Sequence, residues 1–187
     1  MAEFTFDELM RTGHVKRWQI VRVAREQTIA EHMYRVWIVT TEICRRLDLP
    51  ISIASAANAW ALMHDIPEVL TGDIATPAKE AMRRALPDDD PIRNIELGMS
   101  DSYREAWECA KTQYFDDLPT AYEIVKLADM IEAKCFLGCE MIGNHARHVF
   151  EMTCQNVELA YKNLVLGYPF VDWDEIRDII NHSWSKV

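Results

Sequence analysis

Helix-start signals recur along this chain, and apolar side chains follow them at helical spacing. Thr28-x-x-Glu31 and Thr120-x-x-Glu123 are capping boxes, in which a hydroxyl and a carboxylate satisfy free backbone N–H groups at the start of a helix. After the first box, apolar residues recur with a period near 3.6, at Ile29, Met33, Val36, Ile43 and Leu47. No long segment alternates with the period of two that a half-buried strand requires. The pattern therefore predicts an all-α protein.

Capping residues, glycines and prolines divide the rest of the sequence into further helices. Thr5-x-x-Glu8 begins the first helix, which Gly13 ends, and Thr76-Pro77 starts another. The predicted helices cover about 5–13, 28–47, 52–65, 76–86, 92–113, 120–142, 144–166 and 173–184, with a short helical turn and a loop over 68–73. A length of 187 residues favours one domain. We predict a single all-α domain over residues 1–187, a bundle of about seven to nine helices.

Charge and cysteine content exclude several classes of protein. The formal net charge is −10, the opposite of the basic surface that nucleic-acid binding usually requires. Five cysteines form an odd set without the paired spacing of a disulfide-stapled secreted domain. The N-terminal residues are acidic where a signal peptide would be basic, and no apolar run approaches the ~18 residues that span a bilayer. We expect a cytoplasmic protein that binds neither nucleic acid nor a membrane.

His64 and Asp65 stand side by side at the end of an apolar segment, Ala59-Trp-Ala-Leu-Met63. An ionised carboxylate in an apolar interior is costly unless a partner compensates its charge. A divalent cation is one such partner, and His32 and Asp129, on or beside apolar helix stripes, could supply further ligands. Two histidines and two carboxylates would leave coordination positions open for water and substrate, as a catalytic metal site requires.

Each of these residues also has a plain structural interpretation. A histidine on an apolar helix face is commonly a hydrogen-bonded core residue, and an isolated His-Asp pair is commonly incidental. Asp129 could form an interior ion pair with Lys126 or Lys134. Residue chemistry alone leaves the metal site and these structural roles open.

Five short strings occur in order over roughly the first 140 residues, and they resemble the motifs of one family. They are Val15-Lys-Arg-Trp18, Thr28-Ile-Ala-Glu-His32, Met63-His-Asp-Ile-Pro-Glu-Val-Leu-Thr-Gly-Asp73, Thr76-Pro77-x-Lys79 and Lys126-Leu-Ala-Asp129. On an all-helical chain they resemble the HD-domain phosphohydrolase superfamily, and within it the small 5'-deoxynucleotidases and the bacteriophage dATP triphosphohydrolases.

The resemblance implies a metal site and a proton-transfer group. By this resemblance, one divalent cation would bind to four ligands, His32, His64, Asp65 and Asp129. Co, Mn or Zn is the expected metal. Glu68 would be the acid/base or water-orienting carboxylate beside that cation. The cation would lower the pKa of water and neutralise a phosphate oxygen, while the carboxylate would handle the proton.

The resemblance also implies contacts to substrate. Arg17 would bind phosphate through its planar guanidinium, and Lys79 would be a second phosphate-facing cation. Trp18 would pack against the sugar edge at C2' and leave no room for a hydroxyl, Asp73 would accept a hydrogen bond from the 3'-hydroxyl, and Ile20 would line the base pocket. The alternatives are surface ion pairs for the two cations, core packing for Trp18 and a simple turn at Asp73.

The function that the resemblance implies is hydrolysis of the 5' phosphoester of 2'-deoxyribonucleotides. A dNTP, with dATP favoured and additional Mg²⁺ on its triphosphate, would yield deoxynucleoside and triphosphate. A dNMP would yield deoxynucleoside and phosphate, and the sequence leaves both open. The rival interpretations are a regulatory HD module that binds nucleotide without turnover and an alarmone hydrolase. A homo-oligomer, a dimer or a hexamer, is expected, in the host cytoplasm if the protein is phage-encoded.

Overall fold

The computed structural model describes residues 6–86, 91–98 and 100–182, and these residues are mostly helical. The α-helices are α1 (Phe6–Leu9), α2 (Ile29–Arg46), α3 (Ile51–Ala61), α4 (Glu68–Thr71), α5 (Thr76–Ala85), α6 (Pro91–Gly98), α7 (Asp101–Lys111), α8 (Ala121–Glu140), α9 (Gly143–Gly167) and α10 (Arg177–Asn181). Short 3-10 helices cover Met10–Gly13 and Trp173–Ile176. Within these ranges there is no strand, and only two isolated β-bridges occur. The all-α prediction is confirmed, and the predicted seven to nine helices correspond to the longer members of this set.

Helices α2 and α8 begin where the capping residues predicted. The Thr28 hydroxyl accepts a hydrogen bond from the Glu31 backbone N–H at 3.2 Å. In α8 the capping box is complete, because the Glu123 carboxylate also accepts from the Thr120 backbone N–H at 2.9 Å. The Glu31 carboxylate instead pairs with Arg25 at 2.8 Å, so the predicted reciprocal bond at the start of α2 does not form. Both caps still satisfy orphan N–H groups at helix starts.

The core lies between α2, α3 and α8, with α7 and α9 packed on its outer sides. Small residues such as Ala57 and Ala128 let these helices approach closely, and larger side chains such as Ile43, Ile124 and Ile131 fill the space between them. This packing brings the α2 N-terminal half, the end of α3 and the middle of α8 together. Among the described residues, no helix has both the length and the apolar character needed to cross a membrane.

Four predicted helices differ from the observed ones. Within the described part of the segment predicted over 5–13, Phe6–Leu9 are an α-helix and Met10–Gly13 a 3-10 helix. The segment predicted over 92–113 is two helices, because Ser100 caps a new one by accepting a hydrogen bond from the Tyr103 N–H at 3.1 Å. The segment predicted over 52–65 stops at Ala61, so that 62–67 are turns. The segment predicted over 173–184 starts as a 3-10 helix and ends at Asn181.

One predicted cap is not formed, and another lies outside the described residues. At α5 the cap position is Ala75 without a side-chain cap, and Thr76 is already helical, so the predicted threonine cap is wrong. Thr5 of the predicted first box, like the predicted helical residues 183–184, lies outside the described residues.

The loop over residues 14–28 is attached at both edges to the helical core. Arg17 N–H donates to the Gln27 carbonyl at 2.9 Å, and Ile29 N–H donates to the Val15 carbonyl at 3.0 Å. On the far side, Ala24 N–H donates to the Glu140 carbonyl at 2.7 Å. These bonds hold the loop over the ends of α2 and α8, where its polar side chains reach the interior.

Candidate metal centre

Ligand atoms of His32, His64 and Asp65 lie within 4.8 Å of one another. His32 comes from the first turn of α2, and His64 and Asp65 come from the turns that follow α3. His32 Nε2 is 3.4 Å from Asp65 Oδ2 and 3.1 Å from Asp129 Oδ1, and Asp129 is on α8. The four residues that the motif resemblance grouped are thus brought together by three separate parts of the fold.

The free nitrogen atoms of the two histidines fit a metal ion. His64 Nδ1 donates to the Ala61 carbonyl at 2.9 Å, which leaves its Nε2 as a lone-pair donor. Among the described residues, the buried Nε2 atoms of His32 and His64 have no partner in hydrogen-bond geometry. Buried nitrogens that face carboxylates without bonding to them are accounted for by a cation between them. Imidazole and carboxylate donors suit Zn²⁺, Mn²⁺ or Co²⁺.

The charges around this cluster favour a cation at its centre. Burial would raise the pKa of Asp65 and of Asp129, but nearby His64, His32 and Arg17 outweigh it and lower both values. Burial and the Arg17 cation would lower the pKa of His32, and the neighbouring carboxylates nevertheless raise it to about 9. The carboxylates are therefore ionised, and they stabilise positive charge at His32 Nε2, where a cation would bind.

Glu68 lies in α4 at the edge of the cluster, with only 7% of its surface exposed. Its Oε1 atom is 3.3 Å from Lys79 Nζ, and its buried Oε2 atom has no hydrogen-bond partner among the described residues. Burial and the Asp65 charge raise the pKa of Glu68 to about 8, although Lys79 opposes the shift. A carboxyl group with a pKa near neutrality can both donate and accept a proton.

Trp18 occupies an unusual backbone conformation, with φ at 65°, in the left-handed region. Its backbone N–H donates to Asp73 Oδ2 at 3.0 Å, and its indole ring lies parallel to Phe136 with centroids 5.8 Å apart. Asp73 therefore holds the Trp18 backbone in the strained conformation that directs the ring onto α8.

Arg17 points into the cluster from the same loop. Its guanidinium Nη2 lies 4.0 Å from Asp129 Oδ1, its Nη1 contacts His32 Nδ1, and its side chain is 14% exposed. Ile20 follows with 56% of its surface exposed, in no described contact with the cluster. Of the predicted substrate residues, the fold brings Arg17, Trp18, Asp73 and Lys79 together around the candidate metal centre, while it leaves Ile20 exposed.

Two buried polar residues of the site were missed by sequence reasoning. Glu132 Oε2 lies 2.6 Å from His32 Nδ1, and Glu132 Oε1 accepts from Gln27 Nε2 at 2.6 Å. Glu132 follows Asp129 by three residues on α8, so helical spacing could have placed both carboxylates on one face. No sequence signal distinguishes Gln27, which precedes the Thr28 cap.

A cavity of about 220 Å³ opens beside the cluster, and His64 and Asp129 form part of its wall. Arg83, Lys126 and Glu96 also line it. The remaining lining residues are the apolar and aromatic side chains of Trp60, Tyr103, Tyr122 and Val125. The space is therefore bounded by the candidate metal ligands His64 and Asp129 and, elsewhere, by two cations, one carboxylate and aromatic and apolar side chains.

Fold, motifs and site together define one class of protein. The chain belongs to the HD-domain family, whose sequence profile matches residues 10–158. The resemblance that the motifs indicated is therefore confirmed.

Individual relatives are similar over most of their length. The dATP triphosphohydrolase of cyanophage S-2L is 31% identical over 165 residues, covering 88% of this chain and 87% of the phage protein. The 5'-deoxynucleotidase of Shewanella oneidensis is 28% identical over 144 residues, covering 72% of this chain and 71% of that enzyme. The solved structure of the cyanophage S-2L HD phosphohydrolase, bound to dA and one catalytic Zn²⁺ ion, superposes with a TM-score of 0.75 at 29% identity, covering 96% of this chain and 94% of that one.

Proposed function

We propose that this protein is a divalent-metal-dependent phosphohydrolase that cleaves the 5' phosphoester of 2'-deoxyribonucleotides, with dATP as the favoured substrate. The convergence of His32 and His64 Nε2 with Asp65 and Asp129, without hydrogen bonds that would satisfy the nitrogens, carries this proposal. The names of the similar proteins, dATP triphosphohydrolase and 5'-deoxynucleotidase, support the same reaction class.

Four side chains hold the cation in this proposal, namely His32, His64, Asp65 and Asp129. When bound, a Zn²⁺, Mn²⁺ or Co²⁺ ion lowers the pKa of water and neutralises charge on the α-phosphate. Glu68 takes a proton from the attacking water through Oε2, since that atom is buried and is not engaged by Lys79. Lys79 keeps Glu68 partly ionised, because its positive charge opposes the effect of burial.

The remaining predicted residues bind the nucleotide. Arg17 donates to phosphate oxygens, and the Trp18 ring closes the 2' side of the sugar so that a ribose hydroxyl would collide with it. Asp73 accepts from the Trp18 N–H through Oδ2, and its carboxylate has further lone pairs that accept from the 3'-hydroxyl. Ile20, whose side chain is exposed, covers the base.

A triphosphate is favoured over a monophosphate by the lining of the cavity. Arg83 and Lys126 lie on the wall that also contains His64 and Asp129. With Glu96 on the same wall, these two cations still leave one net positive charge beyond the metal ligands, which suits the negative β- and γ-phosphates, and an additional Mg²⁺ ion would accompany them. The second candidate is a 5'-deoxynucleotidase that acts on monophosphates, which the Shewanella oneidensis relative supports.

We also propose the wider setting of this activity. Residues 1–187 act as one HD domain in a homo-oligomer, a dimer or hexamer, in the cytoplasm, which is the host cytoplasm if the protein is phage-encoded. The net charge of −10 favours small nucleotides held by local cations over a nucleic-acid strand.

Product analysis tests the proposal. The purified protein is loaded with Zn²⁺, Mn²⁺ or Co²⁺, incubated with each dNTP, dNMP, ATP and ppGpp, and the products are separated by anion exchange. Release of deoxyadenosine with intact triphosphate is expected, and the H64A variant should release none. Phosphate released from dNMPs alone would establish the monophosphate candidate, turnover of ppGpp alone an alarmone hydrolase, and binding without turnover a regulatory module.

A further inference from the structure

Glu132 is a buried carboxylate with both oxygens engaged, and it lies behind the candidate metal centre. Only 2% of its surface is exposed. Oε1 accepts from Gln27 Nε2 and Oε2 lies beside His32 Nδ1, each at 2.6 Å, while Arg17 Nη1 approaches Oε2 at 3.4 Å. A buried ion of this kind is retained only when donors surround it. Since its oxygens face these donors, Glu132 acts on the metal site through His32.

The hydrogen bond to Glu132 determines how His32 meets a metal ion. Arg17 Nη1, which can only donate, contacts both His32 Nδ1 and Glu132 Oε2, whereas the carboxylate can accept from both neighbours. We therefore assign the His32 Nδ1 proton to the 2.6 Å bond with Glu132 Oε2, and in this tautomer Nε2 presents its lone pair to Asp65 and Asp129. A carboxylate on the far nitrogen orients the ring and makes the ligand nitrogen more basic. His64 receives a weaker version of this support, because its Nδ1 bonds to a backbone carbonyl.

Gln27 extends the hydrogen-bond chain from Glu132 to the nucleoside side of the site. Its side chain is fully buried, and its Oε1 atom accepts from Trp18 Nε1 at 2.8 Å. Because Trp18 Nε1 can only donate, the Gln27 amide has one allowed orientation, with its nitrogen toward Glu132. The chain Trp18–Gln27–Glu132–His32 thus has a fixed donor and acceptor at every link.

We propose that Gln27 and Glu132 are positioning residues. Glu132 orients His32 toward the metal ion, and Gln27 connects that carboxylate to Trp18. One buried hydrogen-bond chain therefore joins the metal ligand to the wall of the sugar site. The inference rests on the proposed function for the identity of that wall. Metal affinity then depends on two residues outside the predicted ligand and substrate sets.

Exchanging the two side chains separates hydrogen bonding from simple damage to the core. In E132Q, the side chain at position 132 has one oxygen and one NH₂ group. The NH₂ group must face either Gln27 Nε2 or the His32 Nδ1–H, and both of these are donors. In the Q27E/E132Q double variant, the carboxylate introduced at position 27 accepts from Trp18 and from the amide at 132, whose oxygen accepts from His32. Every hydrogen bond can then form again with the same number of side-chain atoms. T40V, a buried change on the helix that carries His32, is the matched control.

The main measurement is Zn²⁺ affinity by competition with a chromophoric chelator, together with the visible spectrum of the Co²⁺-loaded protein. E132Q should lose about 10- to 100-fold in Zn²⁺ affinity, the usual effect of removing the outer partner of a ligand histidine. The double variant should recover at least about 5-fold of that loss and restore the Co²⁺ spectrum, while T40V should bind as the wild type does. W18F, which removes the indole N–H together with part of the ring but keeps an aromatic side chain, should weaken Zn²⁺ binding by about 2- to 5-fold through Gln27.

Wild-type affinity in E132Q would overturn the role of Glu132, as would a double variant that binds no better than E132Q. Unchanged Zn²⁺ affinity in W18F would overturn the link through Gln27. If E132Q does not fold, E132D replaces it: it keeps the charge but is too short to reach His32, and wild-type affinity there would equally overturn the proposal. These are binding measurements, so they can succeed in a protein that hydrolyses no deoxynucleotide, and failure of the proposed function is recorded separately by product analysis.

Discussion

Lys79 Nζ lies 3.3 Å from Glu68 Oε1, and this ion pair leaves the other oxygen of Glu68 buried beside the candidate metal centre. Glu68→Ala should reduce kcat at least about 100-fold, the usual scale for a proton-transfer group, without lowering Zn²⁺ content. Steady-state rates with metal analysis by mass spectrometry provide the check. An unchanged rate would remove Glu68 from the mechanism, and a loss of bound Zn²⁺ would make it a ligand instead.

The pKa of Glu68 predicts how the stability of the metal-free protein depends on pH. The folded-state value of about 8 lies above the value of about 4.3 in an unfolded chain. The stabilisation from protonated Glu68 is therefore complete below about pH 4 and is lost as the pH rises through 8. Glu68→Gln has no proton to lose, so its melting temperature in chelator should rise relative to the wild type between pH 5 and pH 9. A constant difference across that range would contradict the raised pKa.

Metal removal should abolish activity and lower stability together. Excess chelator is expected to stop turnover, and Mn²⁺, Co²⁺ or Zn²⁺ should restore it. A free ion at 100 times its Kd stabilises the folded state by about 2.7 kcal/mol, which corresponds to about 5–10 °C in Tm for a chain of this size. Calorimetry with and without Zn²⁺ measures the shift, and His64→Ala should remove it. Full turnover in excess chelator would exclude the metal-dependent mechanism.

Trp18 should determine whether the sugar can carry a 2'-hydroxyl. Trp18→Ala is expected to reduce the ratio of kcat/KM for dATP over ATP by at least about 10-fold, because the ring no longer closes the 2' side. Trp18→Phe is the control, since it keeps an aromatic ring against Phe136. If both variants discriminate as the wild type does, Trp18 serves packing alone.

We expect a substitution at Thr40, away from the site, to stabilise the folded protein. Its hydroxyl is buried in α2 and has no hydrogen-bond partner among the described residues, so no hydrogen bond offsets the free-energy cost of removing it from water. Thr40→Val should raise stability by about 1 kcal/mol and Tm by about 2–4 °C. Thr41→Val, an exposed change on the same helix, is the control, because the Thr41 hydroxyl donates to the Trp37 carbonyl at 2.8 Å. A lower Tm in T40V than in the wild type would contradict the interpretation.

The helices could be predicted from the sequence because their signals are local. Caps at Thr28 and Thr120, proline positions and the apolar period each act within a turn or two of the backbone. The start of a new helix after Ser100 was missed although Gly98 and Ser100 are ordinary helix-stop and cap residues. The early end of α3 at Ala61 was missed because the apolar run continues to Met63. That early end matters for the site, because it places His64 and Asp65 in turns that point toward α2 and α8.

The sequence by itself determined the helical class, the types of side chain available to bind a metal and, through its ordered motifs, the family. Only the tertiary structure decided which atoms meet. Packing of α2, α3 and α8 sets the 3.1 Å approach of His32 to Asp129 and aligns Glu132 and Gln27 behind it. Residues about 100 positions apart carry no local signal of their contact, because the hydrogen bonds that join them exist only after the core has closed.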